Sequence, residues 1–577
     1  MKPAGALRRL LDHPRMGIIA AAVGTFFLLP SLGAGLAGDD YFHWLRATGA
    51  LGFGSRLSLF NFFDGSPEAI AAVRDRGLAP WFAEEKLRLD FFRPLTGITH
   101  YVDYTVWPHA PWLMHAENLA INAALIFATA VLYRKLLAPR WVAGLAALLY
   151  ALDVGHGFAG WVAGRNGILS AAFGVAAIAA HVRWRRDGWK AGAWLAPLLL
   201  ALGLLAGEAA VATLAYFFAY ALTLDRAALR ARIFSLLPGL GVVGAWQALY
   251  RALGCGAFGS GLYLDPGRQP LLFLVEAPGR AIALLLGELA LVPPEVYVFL
   301  GPRRPAFLAM AALFLACVLA VIAPLLYRSA RARFFGLGAL FSLVPVCATF
   351  PSGRLLLFVG VGAMGLVAEV AGRVFADGEA TTSGFRERSL AWLWLGLHLL
   401  LAVPLLLVAS VTPMLMASYT DRSATGLPTL PQLADRIVVV VNTPNLLPAI
   451  YRFVVPRNGV FPDHTRARVL SVSRHPVHVR RVDASTIDVS ADDDLLGEVS
   501  SSLVRGDAFP MTVGEVTELP GMQTRVEEVT ATGHPRRVTF HFDHPLEAKD
   551  FFWVGWQRAR FVAITLPPVG EEIPLNE

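Results

Sequence analysis

The chain has 577 residues, of which 55% are hydrophobic and 16% charged, and its mean hydropathy is +0.53. A soluble domain typically carries about 25% charged residues, so most of this sequence is suited to lipid rather than to water. The net charge of +7 lies in short Arg and Lys clusters between apolar runs, which is typical of membrane proteins and gives no case for a nucleic-acid partner.

Eleven apolar segments are candidates for membrane-spanning helices, which need about 20 mostly apolar residues. They cover residues 16–37, 112–133, 140–152, 166–182, 191–206, 209–223, 233–253, 305–326, 334–349, 355–376 and 390–415. The first follows Arg8, Arg9 and Arg15 and exceeds the roughly 7–15 residues of a signal-peptide core. We therefore interpret it as a retained first span.

A twelfth apolar stretch, residues 270–298, is interrupted by Glu276, Arg280, Glu288 and the pair Pro293 and Pro294. Those interruptions leave two possibilities open. The stretch either crosses the membrane or forms a re-entrant or interfacial helix.

The basic clusters predict the orientation of the spans, because cytoplasmic loops carry an excess of Arg and Lys. They comprise the N-terminal arm, residues 134–140, 183–190, 226–232 and 328–333, and Arg386 with Arg388. If 270–298 does not cross, eleven alternating spans place every cluster in the cytoplasm with the N-terminus. Segments 38–111, 153–165, 254–304 and 350–354 are then extracytoplasmic, as is the C-terminus. We expect an integral protein of a bacterial inner membrane, in contact with membrane lipid.

The composition changes after about residue 420, where segments such as 436–441, 477–482 and 537–542 alternate apolar and polar residues between Pro, Gly and Asp turns. Residues 446–454 form a candidate short helix. We predict a mainly α fold: a polytopic bundle of about 11 spans over residues 1–420, with a large extracytoplasmic loop at 38–111. A β-rich extracytoplasmic domain follows over residues 421–577.

Two adjacent carboxylates, Asp39 and Asp40, stand where the chain leaves the first span. They are either catalytic groups or a polar cap that ends one helix and opens the next. Both interpretations remain open at this stage.

Loop 38–111 is long enough to need structure or function of its own. It contains Arg93, and it leads into His115 and Asn118, which share one face of the second span because they lie three residues apart. Polar groups near a bilayer need partners, so we favour a functional role for these three residues. The loop's tryptophans and tyrosines are more typical of an interfacial aromatic belt.

A glycine-rich segment at 153–166 surrounds His156, Arg165 and Asn166 with glycines that permit close backbone approach. It is suited either to binding an anionic headgroup or to a tight interhelical turn. Glu208 and Arg354 are further charged groups at span boundaries, where a charge usually has a partner or a function. A structural ion pair and a snorkelling arginine are the alternatives.

These motifs together resemble GT-C-type membrane glycosyltransferases, in the branch of the protein O-mannosyltransferases and the transmembrane and tetratricopeptide-repeat mannosyltransferases. The likeness covers about residues 15–375. The matching positions are Asp39 and Asp40, Arg93 to Leu95, Asp103, Tyr104, Trp107, His115, Asn118, His156, Trp161, Gly164 to Asn166, Glu208 and Arg354.

The sequence departs from the family pattern at several positions. Asp153 and Asn122 stand where the resemblance would give histidines, and Gly207 replaces the lysine of a lysine–glutamate pair. The β-rich domain takes the place of tetratricopeptide repeats. The substrate can therefore differ from that of these relatives.

The resemblance implies transfer of a sugar from a polyisoprenyl-phosphate donor to a hydroxyl of a protein or glycan acceptor, on the extracytoplasmic side. Asp39 or Asp40 would act as general base. Arg93, Arg165 and Arg354, assisted by His115 or His156, would stabilise the phosphate, with Asn118, Asn166 and Glu208 beside them.

No cofactor is implied with certainty by the resemblance. A divalent cation is possible in this family, with Asp39 and Asp40 as its ligands, but the sequence shows no metal-ligand spacing. Cys255, Cys317 and Cys347 include no CxxC pair, so we expect neither a disulfide framework nor a cysteine-based zinc site.

The alternative function is a transporter or flippase for a lipid-linked sugar, in which the same arginines bind a headgroup during translocation. Transporters usually show a two-fold repeat with broken helices in matching halves. The sequence shows no such repeat, although residues 270–298 keep this alternative open.

Overall fold

A computed structural model describes residues 3–50, 54–375, 384–423, 436–453 and 466–575, together with 425, 427, 428 and 433. Nineteen α-helices lie in these residues, and the first eighteen precede the C-terminal strands. The predicted strand-rich C-terminal region is present, and so is the short helix expected at 446–454, whose last residue, 454, lies outside the described residues.

Eighteen α-helices form the bundle and its loops in the described residues. They are α1 Pro3–Leu11, α2 Met16–Leu28, α3 Asp39–Thr48, α4 Pro67–Arg76, α5 Pro94–Val106, α6 Pro111–Leu136, α7 Arg140–Ala151, α8 Arg165–Asp187, α9 Gly192–Ala206, α10 Thr213–Thr223, α11 Leu229–Ala252, α12 Pro270–Ala290, α13 Val296–Phe299, α14 Arg304–Arg328, α15 Ala330–Val346, α16 Leu357–Val374, α17 Phe385–Gly396 and α18 Ala402–Ser423. Four of them, α1, α3, α4 and α5, lie outside the predicted apolar segments.

Eight helices in the described residues are long and apolar enough to cross a membrane, or nine if the bent pair Arg140–Ala151 and Val154–Gly160 is one span. Helices α9 and α10 are apolar but shorter than 18 residues, and α15, at the predicted span 334–349, has 17 residues. The chain is an integral membrane protein on this basis. Residue 376, the end of one predicted span, lies outside the described residues.

The predicted cytoplasmic clusters meet at one end of the bundle, which we call the basic end. Lys135 pairs with Asp187 at 2.7 Å, and Arg185 pairs with Asp225 at 2.8 Å. The N-terminal arm joins them, since Arg8 donates to the Phe375 carbonyl. These contacts agree with the predicted alternation of spans, while the side of the membrane that this end faces stays a prediction.

The four predicted extracytoplasmic segments meet at the opposite end, which we call the outer end. Strand β1 (Asn61–Asp64) pairs antiparallel with β2 (Arg88–Asp90), and β2 pairs with β3 (Gly256–Phe258). Loop 38–111 and segment 254–304 thus share one sheet. A β-bridge between Tyr263 and Thr349 adds the segment before α16.

Helix α12 enters and leaves at the outer end. The Leu264 N–H before it donates to the Ala348 carbonyl at 2.7 Å, and Glu295 after it accepts from Ser352 Oγ and the Gly353 N–H, both at 2.8 Å. Its length and composition alone would permit a span. The contacts on both sides of α12 favour the re-entrant or interfacial arrangement instead.

The C-terminal domain contains one short helix, α19 (Leu446–Phe453), and two sheets. Its strands are β4 Ile437–Thr443, β5 Arg466–Val472, β6 Val477–Arg481, β7 Thr486–Ala491, β8 Val516–Leu519, β9 Met522–Val529, β10 Pro535–Phe542, β11 Phe551–Gln557, β12 Arg560–Ala563 and β13 Glu572–Leu575. The order is β13-β6-β7-β10-β9-β8 in the larger sheet and β12-β11-β4-β5 in the smaller. Strand β4 pairs in parallel with both of its neighbours and is buried along nearly its whole length, as is typical of parallel strands whose two faces are covered.

Loop 38–111 packs directly on this domain, and their apolar side chains form one shared core. Trp81 is 2% exposed, and its indole N–H donates to the Leu470 carbonyl at 3.0 Å. The Glu84 N–H donates to the Val504 carbonyl at 2.9 Å. The domain therefore sits on the outer end, and the predicted architecture of helical bundle plus β-rich domain is confirmed.

Candidate active site

Helix α3 begins with Asp39 and Asp40 at the outer end, immediately after a turn at Gly38. Gly38 has φ +57°, a conformation that favours glycine. Carboxylates are stabilised in the first turn of a helix by its unpaired N–H groups. The polar-cap interpretation is therefore compatible with both residues, and their side-chain partners distinguish them.

Asp40 is fully buried and binds backbone on both sides. Its Oδ2 accepts from the Ala37 N–H at 2.9 Å, and its Oδ1 accepts from the Ala163 N–H at 2.6 Å. Burial raises the pKa of Asp40 to about 8 against these two hydrogen bonds. This carboxyl group joins the end of the first span to the glycine-rich segment and is poorly placed to meet a substrate.

Asp39 is partly exposed, and its Oδ1 accepts from the Tyr451 hydroxyl at 2.6 Å. Burial raises its pKa, whereas the Tyr451 hydrogen bond and the charges of Arg354 and Arg93 lower it. Of the two adjacent aspartates, Asp39 is the one that carries accessible surface, and the charges of Arg93 and Arg354 act on it. Its exposure and these charges favour Asp39 as the reacting carboxylate.

Arg93 lies at the start of α5, where it pairs with Glu208 across a 2.7 Å Nε–Oε2 contact. The guanidinium also packs against the rings of Phe60 and Phe91, at 4.9 and 4.6 Å from their centroids. The Asn166 amide, oriented to satisfy its neighbours, accepts from Arg93 Nη1 at 3.1 Å. Three predicted site residues thus meet at the break between α9 and α10.

Arg354 donates to the Tyr263 hydroxyl at 3.3 Å and lies 5.4 Å from the Phe350 ring centroid. Tyr263 in turn contacts Phe91 at 5.6 Å and Phe350 at 6.2 Å between ring centroids. Among the described residues, Arg354 makes no ion pair within 4.0 Å. An aromatic arc of Phe60, Phe91, Tyr263 and Phe350 therefore connects Arg93 to Arg354, whose charge remains available to an anion.

Arg165 is fully buried, and carboxylates of the protein neutralise it. It pairs with Asp103 at 2.6 Å and with Glu117 at 2.9 Å, and its Nε donates to Asn118 Oδ1 at 2.7 Å. The Nη2 atom that pairs with Asp103 also donates to the Met114 carbonyl at 3.1 Å. These partners leave Arg165 little capacity for a substrate phosphate, so its predicted role in binding the donor stays a prediction.

His115, Asn118 and His156 are fully buried beside the site. His115 Nε2 lies 2.8 Å from the Gly35 carbonyl, and Asn118 Nδ2 donates to the Trp161 carbonyl at 2.8 Å. His156 Nδ1 lies 2.6 Å from Oδ1 of Asn122. The three side chains hold outer-end turns against α6, and any contact of theirs with a substrate stays a prediction.

Sequence reasoning missed two residues of the site, Tyr263 and Tyr451. Tyr263 falls in the segment 254–304 that the topology marked as a place to look for function, although no motif singled it out. Tyr451 lies in the C-terminal domain, 412 positions after Asp39. No local pattern links residues so far apart, and the proximity is visible only in the folded chain.

The described residues hold no group of three or more His, Cys, Asp or Glu side chains placed to bind a metal ion. Both oxygens of Asp40 already accept backbone N–H groups. The divalent cation suggested by the resemblance thus stays a prediction, with Asp39 as the better placed ligand of the two aspartates.

Comparison with known proteins shows a structural likeness but no sequence match. No family model and no curated protein matches the sequence. The apo crystal structure of an oligosaccharyltransferase from Archaeoglobus fulgidus is similar, with a TM-score of 0.38 and 12% identity. The match covers 79% of this chain and 65% of that one, so this chain spans less than two thirds of that protein's length. At this TM-score the likeness defines neither a fold family nor an activity.

Proposed function

We propose that this protein is a membrane glycosyltransferase. It transfers a sugar from a polyisoprenyl-phosphate donor to a hydroxyl of a protein or glycan acceptor at the outer end of the bundle. The resemblance of the motifs to GT-C-type enzymes suggests this chemistry. The observation that carries the proposal is the partly exposed Asp39 carboxylate in the field of Arg93 and Arg354.

Asp39 is the general base of the proposed reaction. It accepts the proton of the acceptor hydroxyl as that oxygen forms a bond to the anomeric carbon. The bond from this carbon to the phosphate oxygen breaks, and its electron pair leaves with the phosphate. A phosphate leaving group needs no strong general acid, so one carboxylate suffices. A single displacement inverts the anomeric carbon, which NMR of the product would show.

The two arginines stabilise the negative charge on the departing phosphate. Guanidinium groups bind phosphate oxygens through paired N–H donors. Arg354 has no carboxylate partner among the described residues, whereas Arg93 shares its charge with Glu208. We assign Arg354 the main contact with the phosphate, and the Glu208 pair fixes the orientation of Arg93.

The test measures transfer of label from radiolabelled polyprenyl-phosphate mannose, glucose and galactose to endogenous acceptors in membranes. Asp39→Asn should reduce the rate about 100- to 10,000-fold, the range for loss of a general base. Arg354→Gln should also reduce it. Asp493→Asn, which changes an exposed carboxylate of the C-terminal domain, is the matched control and should transfer normally.

Asp40→Asn distinguishes the two aspartates. The substitution leaves a buried backbone N–H without a good acceptor, which costs about 1–3 kcal/mol of folding free energy. We therefore expect less folded protein but a normal rate of sugar transfer per folded molecule. If Asp39→Asn transfers at the wild-type rate, Asp39 is not the base. If no donor supports transfer by the wild type, the flippase alternative becomes the better explanation.

A further inference from the structure

The C-terminal domain reaches the outer end of the bundle at one point next to Asp39. Tyr451, on α19, donates its phenol O–H to Asp39 Oδ1 at 2.6 Å. In the described part of the chain this is the one hydrogen bond that the side-chain carboxylate of Asp39 accepts. Asp39 Oδ2 is thus left for an incoming group.

The backbone around Asp39 is held independently of this side-chain contact. Asp40 binds the Ala37 and Ala163 N–H groups, and the Trp161 indole N–H donates to the Ala37 carbonyl at 3.0 Å. The phenol is therefore not needed to fix the backbone. Its hydrogen bond acts on the orientation of the Asp39 side chain.

The position of Tyr451 is set by the contacts that dock its domain. Arg468 is 3% exposed and donates to the Asp75 carbonyl of loop 38–111 at 2.9 Å. Two backbone hydrogen bonds join the domain to segment 254–304. The Gly506 N–H donates to the Gly259 carbonyl at 2.9 Å, and the Gly261 N–H donates to the Ser502 carbonyl at 2.8 Å. Docking at several points holds α19 over Asp39.

We propose that Tyr451 is a positioning residue for Asp39, so that the C-terminal domain completes the transfer site. This inference rests on the proposed function of Asp39 as the base. The phenol fixes one carboxylate oxygen and leaves the other directed at the acceptor hydroxyl. Small errors in the placement of a reacting group reduce the rate strongly.

The test compares Tyr451→Phe with wild type at several donor concentrations, in membranes and with the rate expressed per folded protein. We expect the maximal rate to fall about 10- to 100-fold with a donor KM within twofold of wild type. Tyr133→Phe is the matched control, since it removes a buried phenol that donates to the Val361 carbonyl at 2.7 Å, away from the site. Its maximal rate should stay at the wild-type value.

Asp39→Asn, assayed in parallel, separates failure of this inference from failure of the proposed function. If Asp39→Asn is inactive and Tyr451→Phe transfers like wild type, the positioning role is wrong and the base assignment stands. A fall of the same size in Tyr133→Phe would likewise overturn the positioning role.

Thermal unfolding tests the contact without any activity. If no donor supports transfer, the proposed function fails first. Tyr451→Phe must then lower the thermal stability more in the wild-type chain than in an Asp39→Ala chain, because only the wild-type chain has the carboxylate that accepts from the phenol. An equal loss of stability in the two chains would overturn the inference.

Discussion

Arg165 and Asp103 form an ion pair of 2.6 Å in which both side chains are fully buried. Glu117 binds the same guanidinium at 2.9 Å, so α5, α6 and α8 meet at a single cation. Removing one partner of a buried ion pair leaves an uncompensated charge, which costs about 3–5 kcal/mol. The geometry favours a structural role for Arg165 over the donor-binding role implied by the resemblance.

We expect Arg165→Met to lower thermal stability strongly, because Asp103 would lose its buried cation. Thermal unfolding of the detergent-solubilised protein measures the effect. Arg268→Met is the control: its side chain is 40% exposed and lies 3.5 Å from Asp265, and exposed pairs contribute about 0–1 kcal/mol. An Arg165→Met protein of normal stability, with a raised donor KM, would instead support donor binding.

Gly77, at the C-terminus of α4, lies in close contact with the C-terminal domain. It has φ +81°, and a Cβ atom there would clash with the Ala467 backbone of β5. Gly77→Ala should loosen the domain and raise its sensitivity to limited proteolysis. Gly188→Ala has similar backbone strain at φ +72° but open space around the Cβ. Equal protease sensitivity in the two variants would show that close packing at Gly77 is unimportant.

We expect His534 to make the stability of the C-terminal domain depend on pH. Hydrogen bonds from its ring to Asp494 at 2.5 Å and Asp507 at 3.2 Å raise the pKa of His534 to about 10. Because this pKa lies above the ordinary value of 6.5, the stabilisation of the folded domain by protonated His534 is complete below about pH 6.5. It is lost as the pH rises through about 10.

His534→Gln tests this dependence through the free energy of unfolding, followed by pulse proteolysis of the full-length protein. The variant should be less stable than wild type by about 2 kcal/mol at pH 6, the scale of a hydrogen bond to a charged group. The difference should shrink towards pH 10. A stability difference that is constant from pH 6 to pH 10 would contradict the raised pKa of His534. Asp494→Asn removes one of the two carboxylate partners and should weaken the pH dependence of stability.

The topology of α12 can be tested by cysteine labelling after Cys255, Cys317 and Cys347 are replaced by alanine. Val296→Cys follows α12 and should react with an impermeant maleimide from the same side as Pro266→Cys, which precedes it. Arg226→Cys, at the basic end, should react from the other side. Labelling of Val296→Cys together with Arg226→Cys would show that α12 crosses the membrane.

Much of the fold could be read from local patterns. Apolar runs of sufficient length predicted α6, α8 and α14 within a few residues, because a span requires a fixed length of apolar chain. Alternating polarity predicted strands such as β6 and β10. The sequence did not decide whether α12 crosses the membrane. The hydrogen bonds that hold both of its ends at the outer end are made with residues 348, 352 and 353, which lie far along the chain.

The sequence by itself determined a membrane bundle, a strand-rich C-terminal domain and an outer end where Asp39, Arg93 and Arg354 were to be sought. Hydropathy and charge are local properties, so these features needed no knowledge of the packing. Only the tertiary structure decided that Asp40 binds backbone, that Arg165 is neutralised inside the protein, and that Tyr451 reaches Asp39. The availability of a side chain depends on its neighbours in space, and here those neighbours come from distant parts of the chain.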